Sequence, residues 1–170
     1  MPRYKPAKII IKGLTMVVVA NNTGSRHFFD YSEELFELMD GKSWFDDKGY
    51  LRNDSKVWGM MYAHWLVNGK PKRGYQTDHI DHNIRNNRGN NLRTVTASQN
   101  QKNKRGKFGR VKGAYYDKRD DVWTSSITVD GLKIHLGTFK SAEEAGRAYD
   151  KAAERYHGIH SLTNERMGLL

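Results

Sequence analysis

DHIDHNIRNNRGNNLRTVTASQN, residues 78–100, decides how the rest of this 170-residue chain is read. Asp78 and His79 are adjacent, Asn91 follows thirteen residues after Asp78, and Asn100 nine after that. Tyr75–His79 reads as a strand delivered by the loop Pro71–Gly74. Beyond a polar Asn/Arg/Gly loop, Leu92–Val95 is a second short strand. Thr96-x-x-Gln99 is a capping box that starts a helix with Asn100 in its first turn. The order is strand, loop, strand, helix, with a hard oxygen donor at each end and a histidine beside the first. Hydrolysis of a phosphodiester needs such a set: one divalent metal, one base and a fixed frame between them.

A carboxylate and an amide oxygen suit Mg²⁺, which keeps several waters and completes its octahedron from phosphate; Mn²⁺ is the expected substitute. His79, with an ordinary pKa near about 6.5, takes a proton from water at neutral pH. One metal and one base make a single cleavage centre, so each chain is expected to cut one strand. Taken singly these residues mean little. An Asp-His pair is usually a turn or a surface hydrogen bond, and Asn86–Asn91 is rich in a common turn former. The joint spacing carries the reading.

On these residues and the surrounding NNLRTVTASQNQ, the stretch resembles the HNH motif of the ββα-metal endonucleases, in the form that ends in Asn. The resemblance implies His79 as general base, Asp78 and Asn100 as metal ligands, and Asn91 as the loop residue that fixes the backbone around the base. The pattern usually has Gly where this chain has His82. Either that position demands positive φ and the histidine strains the loop, or His82 reaches phosphate or metal. Tyr62-Ala63-His64-Trp65-Leu66 resembles the His-containing element ahead of the HNH hairpin in phage and intron-encoded nucleases. His64 reads as support behind the base, as a phosphate contact, or simply as a packed or surface histidine.

A hydrophobic content of 37% against 28% charge fits small cores with much outward-facing surface better than one large core. With no cysteine, disulfides and Cys-based zinc knuckles are excluded. No apolar run approaches the roughly 18 residues of a membrane span, and Met1–Gly13 lacks signal-peptide form. A soluble, cytoplasmic protein is expected, in a phage-infected bacterial host cell. The net charge of +10 is uneven: residues 102–112, KNKRGKFGRVK, hold six Lys/Arg and no acid, whereas 113–170 hold eight against nine. By itself such a run is a solvated linker. Behind a metal-nuclease helix it reads as a DNA-backbone strap, with Lys104 and Arg105 as contacts and strongly salt-dependent binding.

Lys8–Lys12 and Thr15–Ala20 are β-branched runs around Gly13-Leu14, consistent with a hairpin or two short strands. Ser32 caps a short helix, Glu33–Met39. Trp44-Phe45, a DDKG turn and Tyr50–Arg52 read as another hairpin, and Val57–Val67 as a helix. In the C-terminal part, Val111–Tyr116, Val122–Val129 and Leu132–Leu136 read as three strands, the last two joined by Asp130-Gly131. Ser141-x-x-Glu144 opens a helix to about His157, with Gly158 after it and a stripe of Ala142, Ala145, Tyr149, Ala152, Ala153 and Tyr156. Alternation turns Trp123, Ile127, Val129, Ile134 and Leu136 towards that helix. Thr124, Ser126, Thr128, Lys133 and His135 then share the opposite face, which suits a DNA groove.

KGAYYDKRDDVWTSSI, GLKIHLGTF and SAEEAGRAYDKAA make residues 109–164 similar to the Apetala-type (ethylene-response-factor) DNA-binding domain, in which a three-stranded sheet sits in the major groove. That resemblance implies Lys112, Tyr115, Arg119, Ser126, Thr128, Lys133 and His135 as DNA contacts. Asp117 stands where the plant domain has a basic residue, so modest targeting is expected.

The expected protein is α+β: a ββα-metal HNH module followed by a three-stranded antiparallel sheet packed on one helix. The expected division is 1–101 for the nuclease domain (core about 75–104), 102–112 for a basic linker and 113–170 for the second domain. The function read from this is a homing-type, strand-nicking endonuclease on double-stranded DNA. No protein or membrane partner is implied, and the chain acts as a monomer or as a dimer formed on DNA. A non-catalytic DNA-binding regulator is the alternative. A structural nucleoid-type binder or an RNA-directed nuclease fits these residues less well.

Overall fold

The computed structural model of the chain describes residues 5–55, 59–104 and 110–170. The architecture is mixed α+β, with small antiparallel sheets and short helices in two compact units, Met1–Thr96 and Ala97–Leu170. No helix among the described residues is long and apolar enough to cross a membrane.

In the first unit, β1 (Lys8–Lys12), β2 (Thr15–Val19) and β3 (Arg26–Asp30) pair in chain order. Helix α1 (Glu33–Met39) begins where its cap predicts, the Ser32 hydroxyl accepting from Leu35 N at 3.2 Å. A second sheet follows from β4 (Phe45–Asp47), β5 (Tyr50–Ser55) and β6 (Gly59–Tyr62). The helix expected over 57–67 is therefore corrected: β6 pairs with β5 from Ser55↔Gly59 to Arg52↔Tyr62, and only α2 (His64–Asn68) is helical. An apolar run of that length has the same pattern whether it is one helix or a strand followed by one helical turn; pairing with β5 decides. Val57 and Trp58 lie outside the described residues. Both sheets and α1 share one core, in which Trp44, Phe29, Met16 and Met39 are wholly buried. Trp44 Nε1 donates to Met39 O at 3.1 Å, so the largest core side chain keeps its donor satisfied. Then β7 (Tyr75–His79) and β8 (Leu92–Thr96) pair from Tyr75↔Thr96 to His79↔Leu92 and hold the loop 80–91 between them.

The second unit contains α3 (Ala97–Lys102), β9 (Ala114–Asp117), β10 (Val122–Val129), β11 (Leu132–Phe139) and α4 (Ala142–His157), with sheet order β11-β10-β9. Asp130 and Gly131 take φ 50° and 83°, the double positive φ of a two-residue hairpin turn. Helix α4 is capped by Ser141, whose hydroxyl accepts from Glu144 N at 3.1 Å. Ile127, Tyr149, Ala152 and Ala153 form the core, with Val129, Ile134 and Leu136 against them. The helix-facing side of the sheet is thus the one alternation predicts. The helix stripe differs from the expected one. Tyr156 is 41% exposed, while Gly146 and Asp150, a carboxylate, are buried. Gly113 has φ +77°, and a Cβ there would lie 2.0 Å from Tyr149 Cδ2, so backbone passes where no side chain fits.

Candidate functional site

His79 ends β7 with 5% of its surface exposed, and Asp78 before it has 7%. The imidazole is enclosed by rings: His64 meets it edge-on at 5.6 Å between centroids, and Tyr50 lies 6.1 Å away. His64 itself stacks on Tyr62 at 5.5 Å and is buried, so of the sequence readings it takes the packed one, directly behind His79.

One polar contact orients the His79 ring: Nε2 lies 3.3 Å from Asn87 Oδ1. The Asn87 amide cannot be reversed, because its Nδ2 donates to Arg85 O at 3.2 Å. Its Oδ1 therefore accepts from His79, Nε2 carries the proton, and Nδ1 is left as the basic nitrogen. Burial lowers the His79 pKa from 6.5, against the opposing pull of the Asn87 bond and of Asp81 and Asp78. The ring is neutral at neutral pH, as a base must be.

Asn91 frames the loop. Its Nδ2 donates to Asn86 O (2.7 Å) and Asp81 Oδ1 (2.8 Å), its Oδ1 accepts from Asp81 N (3.0 Å), and its carbonyl accepts from Ile80 N (2.9 Å). Asp81 also accepts from Asn86 Nδ2 at 2.8 Å, so two asparagines and one carboxylate close a ring of bonds across the loop. His82 has φ 63°, the left-handed region, so this position does demand positive φ. A side chain there costs roughly 1 kcal/mol. His82→Gly should raise stability by about 0.5–1 kcal/mol, the gain being partly offset by extra freedom in the unfolded chain. A urea titration reads this, and a fall would mean that contacts of the imidazole outweigh the strain.

Two features near His79 escaped the sequence reading. Strand β3 grips the loop from outside, with Phe28 N donating to Arg85 O (2.8 Å) and Asn87 N to Phe28 O (2.7 Å). Those bonds hold Asn87 against His79. The alternation in Arg26–Asp30 is a strand signal, but its partner in the loop lies some sixty residues away in sequence. Beneath it, His27 is wholly buried, with Nε2 3.0 Å from Ser25 Oγ and 3.6 Å from Asp46 Oδ2. The Ser25 hydroxyl donates to Asp46 at 2.6 Å, so it accepts from the His27 ring.

Burial takes both His27 and His64 down to about 4. Below the unfolded-state value of 6.5 the unfolded chain binds protons that the folded one refuses, so the stability these rings contribute is complete above 6.5 and drains away towards 4. The unfolding free energy read from urea titrations should fall over that window by about a few kcal/mol in total. His64→Phe should flatten the fall; an unchanged slope in that variant would remove His64 from the account.

Asp78 is paired across the hairpin with Arg93, whose Nε and one Nη each lie 2.8 Å from Oδ2. Both side chains are largely buried, at 8% and 15% exposure. Asn100 lies in α3, within the second unit. Among the described residues no group of three or more His, Cys, Asp or Glu converges.

In the second unit, cross-strand pairs Thr124↔Tyr115, Ser126↔His135 and Thr128↔Lys133 place the expected reading residues on one face. Tyr115, Thr128, Lys133 and His135 are exposed, and Lys133 Nζ lies over the Tyr115 ring at 5.5 Å. Ser126 is buried. Lys112 turns inward, its ammonium donating to the carbonyls of Lys102 (3.0 Å), Lys104 (3.1 Å) and Leu162 (3.4 Å). A phosphate contact by Lys112 would have to replace those bonds. Arg119 is exposed and lies bidentate on Asp120 at 3.0 and 2.9 Å. Lys104 is exposed; Arg105 lies outside the described residues.

Comparison with known proteins bears on both units. Residues 63–102 match the HNH endonuclease family model, a span that runs from α2 through α3. An uncharacterized HNH endonuclease of Acanthamoeba polyphaga mimivirus is 29% identical over 100 residues, 59% of this chain and 52% of that protein. APETALA2-like protein 2 of Oryza sativa is 32% identical over 72 residues, 42% of this chain and 17% of the rice protein. An ethylene-responsive transcription factor-like protein of Arabidopsis thaliana is 49% identical over 43 residues, 25% of this chain and 18% of its own length. The chain thus spans about half of the viral protein and less than a fifth of the plant proteins. No solved structure matches it. An HNH-like nuclease segment and an Apetala-type segment are both present in the one chain.

Proposed function

We propose that this chain is a metal-dependent endonuclease that nicks one strand of duplex DNA, leaving 3′-hydroxyl and 5′-phosphate ends. The observation that carries the proposal is the enclosed His79, with Nε2 3.3 Å from Asn87 Oδ1 and a carboxylate beside it on the same strand. A ring so held, with burial lowering its pKa, suits a base that takes a proton from water. Asp78, together with Asn100 from the motif, would hold Mg²⁺, with Mn²⁺ as a substitute. The metal when bound supplies Lewis-acid polarisation of the phosphate and charge for the leaving oxygen. Arg93 aims the Asp78 carboxylate from the neighbouring strand. Asn91 and Asp81 keep the loop, and so His79, from shifting.

The C-terminal sheet face would tether the chain to a preferred duplex. Its exposed cations are few, so phosphates would be held mainly by the basic run 102–112 and bases read weakly. One observation favours a second reading, a DNA-binding regulator without catalysis: the Arg93–Asp78 pair is complete as it stands. Supercoiled plasmid separates the two. Open circles in Mg²⁺, absent with EDTA, support the nuclease, whereas tight binding without nicking in either Mg²⁺ or Mn²⁺ leaves the regulator.

A further inference from the structure

The outer face of the N-terminal sheet takes no part in the site above. Registry divides the sheet cleanly: Met16, Val18, His27 and Phe29 point into the core. The row Ile10↔Val17↔Phe28 lies on the other side. The rows beside it are Lys8↔Val19↔Arg26 and Lys12↔Thr15↔Asp30. Arg88, from the loop that carries Asn87, lies over the Phe28 ring at 5.9 Å and close to Thr15 and Asp30. Sheet and loop thereby form one surface. A cleft of about 350 Å³ opens on it between Lys12, Arg26 and Arg88, floored by Ile10, Val17 and Phe28.

Lys8, Lys12 and Arg26 are exposed and make no ion pair among the described residues. The acid in these rows, Asp30, is drawn to Arg88 at 3.6 Å and accepts from Gly89 N at 3.0 Å. Cations around an apolar floor match a sugar–phosphate backbone, with charge for the phosphates and carbon for the deoxyribose. The position is as telling as the charge. Phe28, on this face, brackets Asn87 through its own backbone, and Asn87 holds His79.

We infer that this face seats the DNA backbone a few nucleotides from the phosphate that is cut, a reading that rests on the nuclease proposal. A second copy of the chain is the poorer occupant. Its two-fold docking would set Lys8, Lys12 and Arg26 against their own counterparts.

The test compares Lys8→Gln/Lys12→Gln/Arg26→Gln with Lys140→Gln/Lys151→Gln/Arg155→Gln, which removes equal charge from the second unit. Both sets are made in a His79→Ala background, and duplex binding is followed against salt. Losing three phosphate contacts should flatten the log–log salt slope by about 2.7 and weaken binding about tenfold or more near 100 mM salt. The control set should move the slope by less than about one. Ethylation interference on the parent protein should mark phosphates within a few nucleotides of the nick, and those marks should vanish in the first set alone. Equal slopes for the two sets, with normal melting, would overturn the inference. So would a parent protein that sediments as a dimer without DNA and is made monomeric by the first set. If the wild type nicks but the sets do not differ, this inference falls and the nuclease stands; if the wild type neither binds nor nicks duplex, both fall.

Discussion

The His79→Ala variant should lose nicking of supercoiled plasmid by about 10²–10⁴-fold, the usual contribution of a positioned base, and should still retard duplex DNA in a gel. The size of the effect follows from how completely the ring is prepared. Its Nε2–H is spent on Asn87, its faces are enclosed by His64 and Tyr50, and burial keeps it unprotonated. His64, the ring nearest to it, is itself buried and stacked on Tyr62. The pH profile gives an independent check. With its pKa held below 6.5, activity should be flat from pH 8 down to about 7 and fall on the acid side, following a single protonation. Asn87→Asp should move that limb upward, since a carboxylate at the same place would favour the imidazolium. If the His79→Ala protein cuts as well as wild type, the base is elsewhere and this account of the site is wrong.

The second large effect is on folding. Asn164→Ala should destabilise the C-terminal unit by about 3–5 kcal/mol, lowering its melting temperature by on the order of 20 °C. Asn164 is wholly buried, and its amide does three jobs. Its Nδ2 donates to Asp150 Oδ1 (2.8 Å), Lys112 O (3.0 Å) and Gly146 O (3.4 Å), while its Oδ1 accepts from Lys112 N. The backbone nitrogens of Asn164 and Glu165 complete the hold on Asp150, at 2.8 and 3.0 Å. The residue thereby ties the entry to the sheet, helix α4 and the C-terminal tail to one buried carboxylate. Alanine would leave that carboxylate and a backbone donor short of partners, which costs far more than the bonds themselves contribute. Asn164→Asp should be no better, because it sets a second carboxylate against Asp150. A change below about 1 kcal/mol for Asn164→Ala would show that water or a shifted backbone replaces these bonds.

Much of the fold was legible because the signals are local. Ser32 and Ser141 announce their helices through caps that span only three residues. Asp130-Gly131 sets its hairpin through its own dihedral preferences, and alternation puts Ile127 and Val129 of β10 on the core side, although a bulge at Ser125/Ser126 shifts the register against β11. The candidate site was legible in part for the same reason. Asp78, His79 and Asn91 sit on one hairpin, so their sequence spacing already implies proximity. Asn87 was read as a turn former, because nothing in its neighbours distinguishes an asparagine that shapes a loop from one that holds a histidine. His27, with Ser25 and Asp46 against it, had no local signature either.

What the amino-acid order determined by itself is the two capped helices, the Asp130-Gly131 turn and the side of the C-terminal sheet that packs on its helix. Propensity, capping and strand periodicity act over a few residues and need no distant partner. The tertiary structure alone decided that 59–62 is a strand rather than helix, that β3 clamps the loop 85–87, and that His79 is buried with Nε2 against Asn87. It also committed Lys112 to three carbonyls and Asp150 to Asn164. Each of these depends on which remote group arrives to satisfy a buried donor, acceptor or charge, and that is fixed only when the chain closes on itself.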